Sequence, residues 1–262
     1  MSVNSRMPVL FVGHGNPMNA IEDNSFSRSW KKLGEELGKP KVILSVSAHF
    51  AKDRPRISTS MENKQIYDMY GFPDELYQVK YHTVGAPEYA GRALELCEGR
   101  LTADNSWGLD HGIWSVLIHM YPKADIPIVT MGVGYRTSPE EHFELGRMLR
   151  PLRDEDVLIL TSGNVVHNLS LVSWNKKDGF EWADRFDEAV IESIRDRRFS
   201  DVVDYRKLPG HEKAFRTVEH FYPLLVALGA ACDDDEISVS NDQRLMGAMS
   251  MTSYLFTPPM VE

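Results

Sequence analysis

Cysteine is scarce in this chain of 262 residues: there are 2, Cys97 and Cys232, far apart and in apolar surroundings. So few cannot build a disulfide framework, and their placement does not make a metal-type pair. Both read as packing groups in a reducing cytoplasm, the expected location of the protein. Long apolar runs are missing as well. No segment approaches the roughly 20 residues that a membrane span needs, so no membrane partner is expected. Met1 to Met7, with one arginine ahead of a short apolar run, does not have the form of an export leader. Positive charge is in deficit, since 29 Lys and Arg stand against 38 Asp and Glu for a net charge of -9. That balance argues against binding nucleic acid through phosphate neutralisation. No internal repeat, low-complexity tract or interdomain linker divides the chain. Residues 1–262 are expected to form a single domain with a small molecule as partner.

What the sequence does contain is a set of apolar runs that lead to histidines. Val9 to Val12 leads into Gly13-His14-Gly15, Lys41 to Ala48 ends on His49, and Val157 to Thr161 is followed by a glycine-led turn onto His167. Short apolar runs without polar alternation are the pattern of central strands in a parallel sheet, where both faces are covered. Between the first two runs, Trp30, Leu33 and Leu37 recur at helical spacing, which makes Ser27 to Leu37 an amphipathic helix. A strand, helix and strand so connected form a right-handed unit with parallel strands. Further helices are predicted over Ala90 to Cys97, from His111 to Met120, after the capping box that opens at Ser138-Pro139, over Trp182 to Arg197 and over Leu224 to Ala231. Ile126 to Met131 reads as another strand and Met249 to Phe256 as a final one, with loops and short strands over Phe50 to Pro87. The fold class is α/β, with a mostly parallel central sheet flanked by helices.

In such sheets ligands bind outside the carboxyl ends of the strands, which is where His14, His49 and His167 are expected. Neutral imidazole suits zinc, iron, copper and nickel, and histidines drawn from separate loops are usual for a catalytic metal site with an open position. Gly13 and Gly15 would let a ligand approach His14 without meeting a Cβ. His220, at the start of an apolar helix, is a further candidate. Glu219 beside it reads as helix-start charge, because consecutive residues rarely point at one ion. Plainer readings stand beside these. His14 could be a satisfied histidine in a tight turn, and His111 a helix-start histidine bonded to Asp110. His119 and His142 read as surface or packing groups, and His82 and His211 as solvated ones. Tyr67, Tyr70, Phe72 and Trp107 could wall a pocket or fill a loop layer.

Five ordered blocks then carry a resemblance: Val-Gly-His-Gly-Asn-Pro-Met-Asn, Ser-Val-Ser-Ala-His-Phe, Gly-Leu-Asp-His-Gly-Ile-Trp-Ser-Val-Leu, Ser-Gly-Asn-Val-Val-His-Asn and Glu-His-Phe-Tyr-Pro-Leu-Leu. Running from about Met7 to Met251, they resemble the signature of extradiol dioxygenases of the 4,5-DOPA dioxygenase type, within the class III, LigB-like superfamily. The resemblance implies a non-haem Fe(II) centre and cleavage of a catechol ring by O2. It makes His14, His49 and His220 the metal ligands, His167 the acid/base and a candidate fourth ligand, and His111 a second active-site histidine near the substrate. One departure from the wider superfamily is a histidine where a carboxylate ligand is common. Three neutral ligands leave the site more positive, which suits a catecholate but also Zn(II) as the bound metal. A zinc-dependent hydrolase and a non-catalytic metal-binding module on the same fold are the competing readings. Metal identity in an active preparation separates the first of these from a dioxygenase.

Overall fold

The apolar runs form the middle of an eight-stranded sheet because each is covered on both faces. The computed structural model describes residues 6–259, so the leader reading of Met1 to Met7 falls largely outside the described residues. The strands are β1 (Val9–Gly13), β2 (Val42–Lys52), β3 (Arg56–Ile57), β4 (Thr102–Ala103), β5 (Ile128–Gly134), β6 (Val157–Gly163), β7 (Glu236–Ser240), β8 (Arg244–Leu245), β9 (Met249–Ser250) and β10 (Ser253–Thr257). Their order across the main sheet is β4, β3, β5, β2, β6, β1, β10, β7. The central strands β5, β2, β6 and β1 are parallel, while β3 joins one side and β10 and β7 the other in antiparallel pairing. β8 and β9 make a separate short ribbon.

The helices are α1 (Ser25–Leu37), α2 (Asp74–Gln78), α3 (Pro87–Leu96), α4 (His111–Met120), α5 (Pro139–Leu149), α6 (Glu181–Arg195), α7 (Phe199–Val203), α8 (His211–Ala214) and α9 (Tyr222–Ala230). Side chains on a strand alternate between faces, and here both faces are apolar. Leu10, Val12, Ile43, Leu158 and Leu160 meet Trp30 of α1 with Ile113 and Trp114 of α4. Val9, Phe11, Leu44, Val46 and Ile159 meet α5, α6 and α9 on the other side. Each such fully buried aliphatic residue stabilises the fold by about 1.5–3 kcal/mol. α1 starts slightly earlier than its apolar spacing suggests, because Asn24 caps it by accepting from the N–H groups of Phe26 and Ser27. The expected Ser138 capping box at α5 is present, with Glu141 reaching back to the Ser138 N–H.

Two departures from these expectations shape the carboxyl edge of the sheet. β2 does not stop at His49 but runs on to Lys52, and its register against β5 shifts between Ser47, opposite Gly132, and Ala51, opposite Val133. A bulge of this kind re-aims side chains, and His49 sits inside it. The expected final strand is broken into β9 and β10 by Met251-Thr252, and β9 leaves the main sheet.

Candidate metal centre

The carboxyl ends of β1, β2 and β6 deliver the first three histidines. His14 follows β1 directly, its N–H donating to Gly163 O at 3.2 Å across the β1 to β6 ladder. His49 is carried by the β2 bulge between Ser47 and Ala51. His167 follows β6 after a short turn, held by its N–H donating to Ala214 O at 2.8 Å. His220 arrives from the turn before α9, and its carbonyl accepts from the Asn164 N–H at 2.8 Å. That approach requires Gly163, since a Cβ there would lie 2.1 Å from His220 O. The space beside Gly13 and Gly15 is used differently from the expectation. A Cβ at Gly13 would meet the Met251 backbone at 2.6 Å, and one at Gly15 the Met251 sulfur at 2.3 Å. Both glycines admit Met251 rather than a ligand.

These turns bring all five singled-out histidines together. The His14 ring centroid lies 4.8 Å from that of His49, 5.4 Å from His220 and 5.6 Å from His111. His49 lies 4.2 Å from His111 and 5.0 Å from His220, and His167 stacks on His220 at 3.6 Å. One ring nitrogen from each of His14, His49 and His111 falls within 4.8 Å of the others. Nε2 of His49 faces Nε2 of His220 at 3.1 Å, close to the ~3.3 Å that two nitrogens span on a tetrahedral zinc ion.

Two of the outer nitrogens, those of His14 and His111, are tied away from this point. Ser162 spends its hydroxyl hydrogen on Gly112 O at 2.5 Å, so it accepts from His14 Nδ1–H at 2.9 Å and leaves Nε2 as the lone-pair nitrogen. Asp68 Oδ1 accepts from both the backbone N–H and Nδ1–H of His111, each at 2.9 Å. The other Asp68 oxygen lies 3.0 Å from His49 Nδ1, and Asp110 Oδ1 lies 3.4 Å from it. That nitrogen points between the two carboxylates, in line with neither. Asp110 is fully buried and saturated: it caps α4 through Gly112 N–H, and it accepts from Ser47 Oγ–H at 2.9 Å and from the Trp107 indole at 2.8 Å. His111 therefore pairs with Asp68 rather than Asp110. Nδ1 of His220 is buried without a hydrogen-bond partner among the described residues, 3.7 Å from a Glu219 oxygen that Thr217 engages at 2.6 Å.

Burial pushes His14, His167 and His220 well below the usual imidazole range, and each neighbouring imidazole adds to the effect. Burial also lowers His111, against the pull of Asp68. These rings are neutral at neutral pH, the form that binds a metal. His49 is the exception. Burial opposes its charge too, but the close carboxylates of Asp110 and Asp68 outweigh it and raise the pKa to about 10. Asp68, despite its own burial, is held below the carboxylate range by His111 and His49. Converging imidazole nitrogens, most of them neutral and two of them with the outer nitrogen hydrogen-bonded, are the donor set of a transition-metal site that His49 joins by giving up a proton, and the residues present fit such an ion.

A family model for the catalytic LigB subunit of aromatic ring-opening dioxygenase matches residues 7–257. The chain belongs to the LigB family. It is 40% identical over 255 residues to the 4,5-DOPA dioxygenase extradiol of Escherichia coli (strain K12), covering 95% of this chain and 94% of that protein. It is 38% identical over 257 residues to the protein of the same name from Beta vulgaris, covering 94% of this chain and 95% of that one. The crystal structure of an uncharacterized protein from Escherichia coli K12 superposes with a TM-score of 0.83 at 39% identity, covering 95% of this chain and 99% of that one. The mostly parallel α/β architecture is thus that of a LigB-family structure.

The remaining histidines of this LigB-family chain lie apart. His142 is buried, accepting from Gly134 N–H and donating to Ser138 O, and His119 contacts Asn19 O. His82 is exposed, and His211 is half-buried against Leu208 O. Of the aromatic residues, Tyr67 and Trp107 line a cavity of about 620 Å³, whereas Tyr70 is 92% exposed. No helix among the described residues is long and apolar enough to cross a membrane.

Sequence reasoning missed Asp68, Ser47 and Ser162, and gave Asp110 a different partner. A signal for the serines was present. Ser47 and Ser162 interrupt apolar central strands and are register partners in the β2 to β6 ladder, and a buried hydroxyl in such a strand needs a bonding partner.

Proposed function

We propose that this chain is an extradiol dioxygenase that opens the ring of a catechol with O2 to give a semialdehyde, and that the catechol is DOPA-like, as the names of its relatives suggest. The observation that carries the reading is the convergence of five histidines at the carboxyl edge of a LigB-family sheet, with the outer nitrogens of His14 and His111 hydrogen-bonded and that of His49 3.0 Å from Asp68. His14, His49 and His220 would hold the metal through Nε2, with Fe(II) as the active ion and Zn(II) as an alternative occupant. A bound Fe(II) would supply a charged centre that collects both catechol oxygens and O2 and favours the catecholate form.

The chain's own groups do the rest. His167, stacked on His220 and kept neutral by burial, would take a proton from the second catechol hydroxyl and return one as the ring opens. His111 is fixed by Asp68, so its Nε2 faces the substrate side in a constant orientation. The two free, buried cysteines fit a reducing compartment, and we place the protein in the cytoplasm.

Anaerobic loading with Fe(II), followed by O2-uptake assays over a panel of catechols that includes DOPA, tests this reading. The iron form consumes O2 and yields a yellow ring-opened product, while the zinc form does not. An active zinc form that hydrolyses an ester or amide without O2, beside an inert iron form, replaces the reading with a hydrolase.

A further inference from the structure

Asp68 stands on the long connection between β3 and α2, and two bonds pin the backbone just before it. Ile66 N–H donates to Leu109 O at 2.8 Å, and the Trp114 indole donates to Ile66 O at 2.9 Å. The Asp68 side chain is 11% exposed and meets two rings at once, His111 through one oxygen at 2.9 Å and His49 through the other at 3.0 Å. An ionised carboxylate only accepts hydrogen bonds. The Nδ1 of His111, bonded to it, therefore carries hydrogen and turns Nε2 away from Asp68, and a hydrogen on the His49 Nδ1, 3.0 Å from the other oxygen, is the form that oxygen favours. Asp110 also approaches His49, but its remaining bonds go to Gly112, Ser47 and Trp107 rather than to the His111 ring. Among the described residues, Asp68 alone meets both histidines.

We propose that Asp68 is a positioning residue that fixes the ring orientation and proton position of His49 and His111 together, so that one carboxylate couples metal retention to substrate binding. The assignment of His49 to the metal and His111 to the substrate rests on the dioxygenase reading above. The tethering itself does not need turnover.

Asp68→Asn separates the two demands, because an amide presents one acceptor and one donor where the carboxylate presents two acceptors. One of the two imidazoles then faces N–H groups and has to move its hydrogen to Nε2. The test is nitrogen NMR of histidine-labelled, zinc-loaded protein, together with zinc titration against a chelator. In the wild-type protein both His49 and His111 carry hydrogen on Nδ1. In Asp68→Asn the resonances of both rings shift, at least one changes its protonated nitrogen, and zinc affinity falls about 10- to 100-fold. Asp110→Asn shifts His49 and leaves the protonated nitrogen of His111 unchanged. Hydrogen on Nε2 of either ring in the wild-type protein overturns the proposal without any variant, which keeps it decisive if Asp68→Asn fails to fold. So does an Asp68→Asn protein with unchanged ring resonances and zinc affinity. None of these readings requires O2 or a catechol, so an inactive iron form is a failure of the dioxygenase reading alone.

Discussion

The imidazole of His167 lies parallel to that of His220, with centroids 3.6 Å apart and planes inclined by 6°. The lone pair of an imidazole nitrogen points in the ring plane, so an ion in the plane of His220 lies well off the plane of His167. This arrangement favours an acid/base over a fourth ligand. His167→Gln should keep the metal and bind catechol without O2, while ring opening slows by roughly two to four orders of magnitude. Metal analysis, anaerobic catechol titration and single-turnover kinetics on one variant check it. Loss of the metal would make His167 a ligand first.

His14→Ala, His49→Ala and His220→Ala should each lower metal occupancy, since two remaining donors compete poorly with water. Glu219→Gln should retain the ion, because the nearest Glu219 oxygen is bonded to Thr217 and lies by the outer nitrogen of His220. His111→Ala should also retain it and weaken catechol binding. Metal content of the purified variants decides the matter: a metal-free Glu219→Gln beside a loaded His220→Ala would move the third ligand to the carboxylate.

Ser162→Ala leaves Nδ1–H of His14 without its acceptor and frees the ring to turn. Metal affinity should fall about 10- to 100-fold, the usual cost of losing an outer partner of a ligating histidine. A chelator competition titration measures it. An unchanged affinity would mean that packing alone orients His14.

The central strands and the histidines that follow them were legible because apolar runs and glycine-led turns are local signals. Asp68 was not, because its partners His49 and His111 come from distant parts of the chain and nothing around Asp68 marks which way it points. The role of Gly13 and Gly15 was misread for a related reason: a glycine shows that something comes close but not what, and here it is Met251. The bulge that aims His49 left no glycine or proline in Ala48-His49-Phe50. β7 escaped notice because its residues are half-exposed and polar in part, weak cues for an edge strand.

Asp187 of α6 accepts from Ser250, Thr252 and, at 3.3 Å, Arg244 through one oxygen, while the other is buried without a partner among the described residues. Burial outweighs these hydrogen bonds and the Arg244 charge and raises its pKa to about 6. The folded state thus holds a proton that the unfolded chain releases near pH 4. The associated stability is present below that pH and is lost as pH rises to about 6, by up to about 3 kcal/mol. Urea unfolding should show wild-type stability falling relative to Asp187→Asn across this window. A difference that stays constant with pH would show that the carboxyl is already ionised throughout.

The most direct test of ring opening by this chain is a single turnover of the Fe(II)-loaded protein with a DOPA-like catechol and ¹⁸O-labelled O2. The expected result is one O2 consumed per ring opened, with label retained in the new carboxylate of the product. An unlabelled product, or a catechol left intact while the metal site is fully loaded with iron, would contradict it.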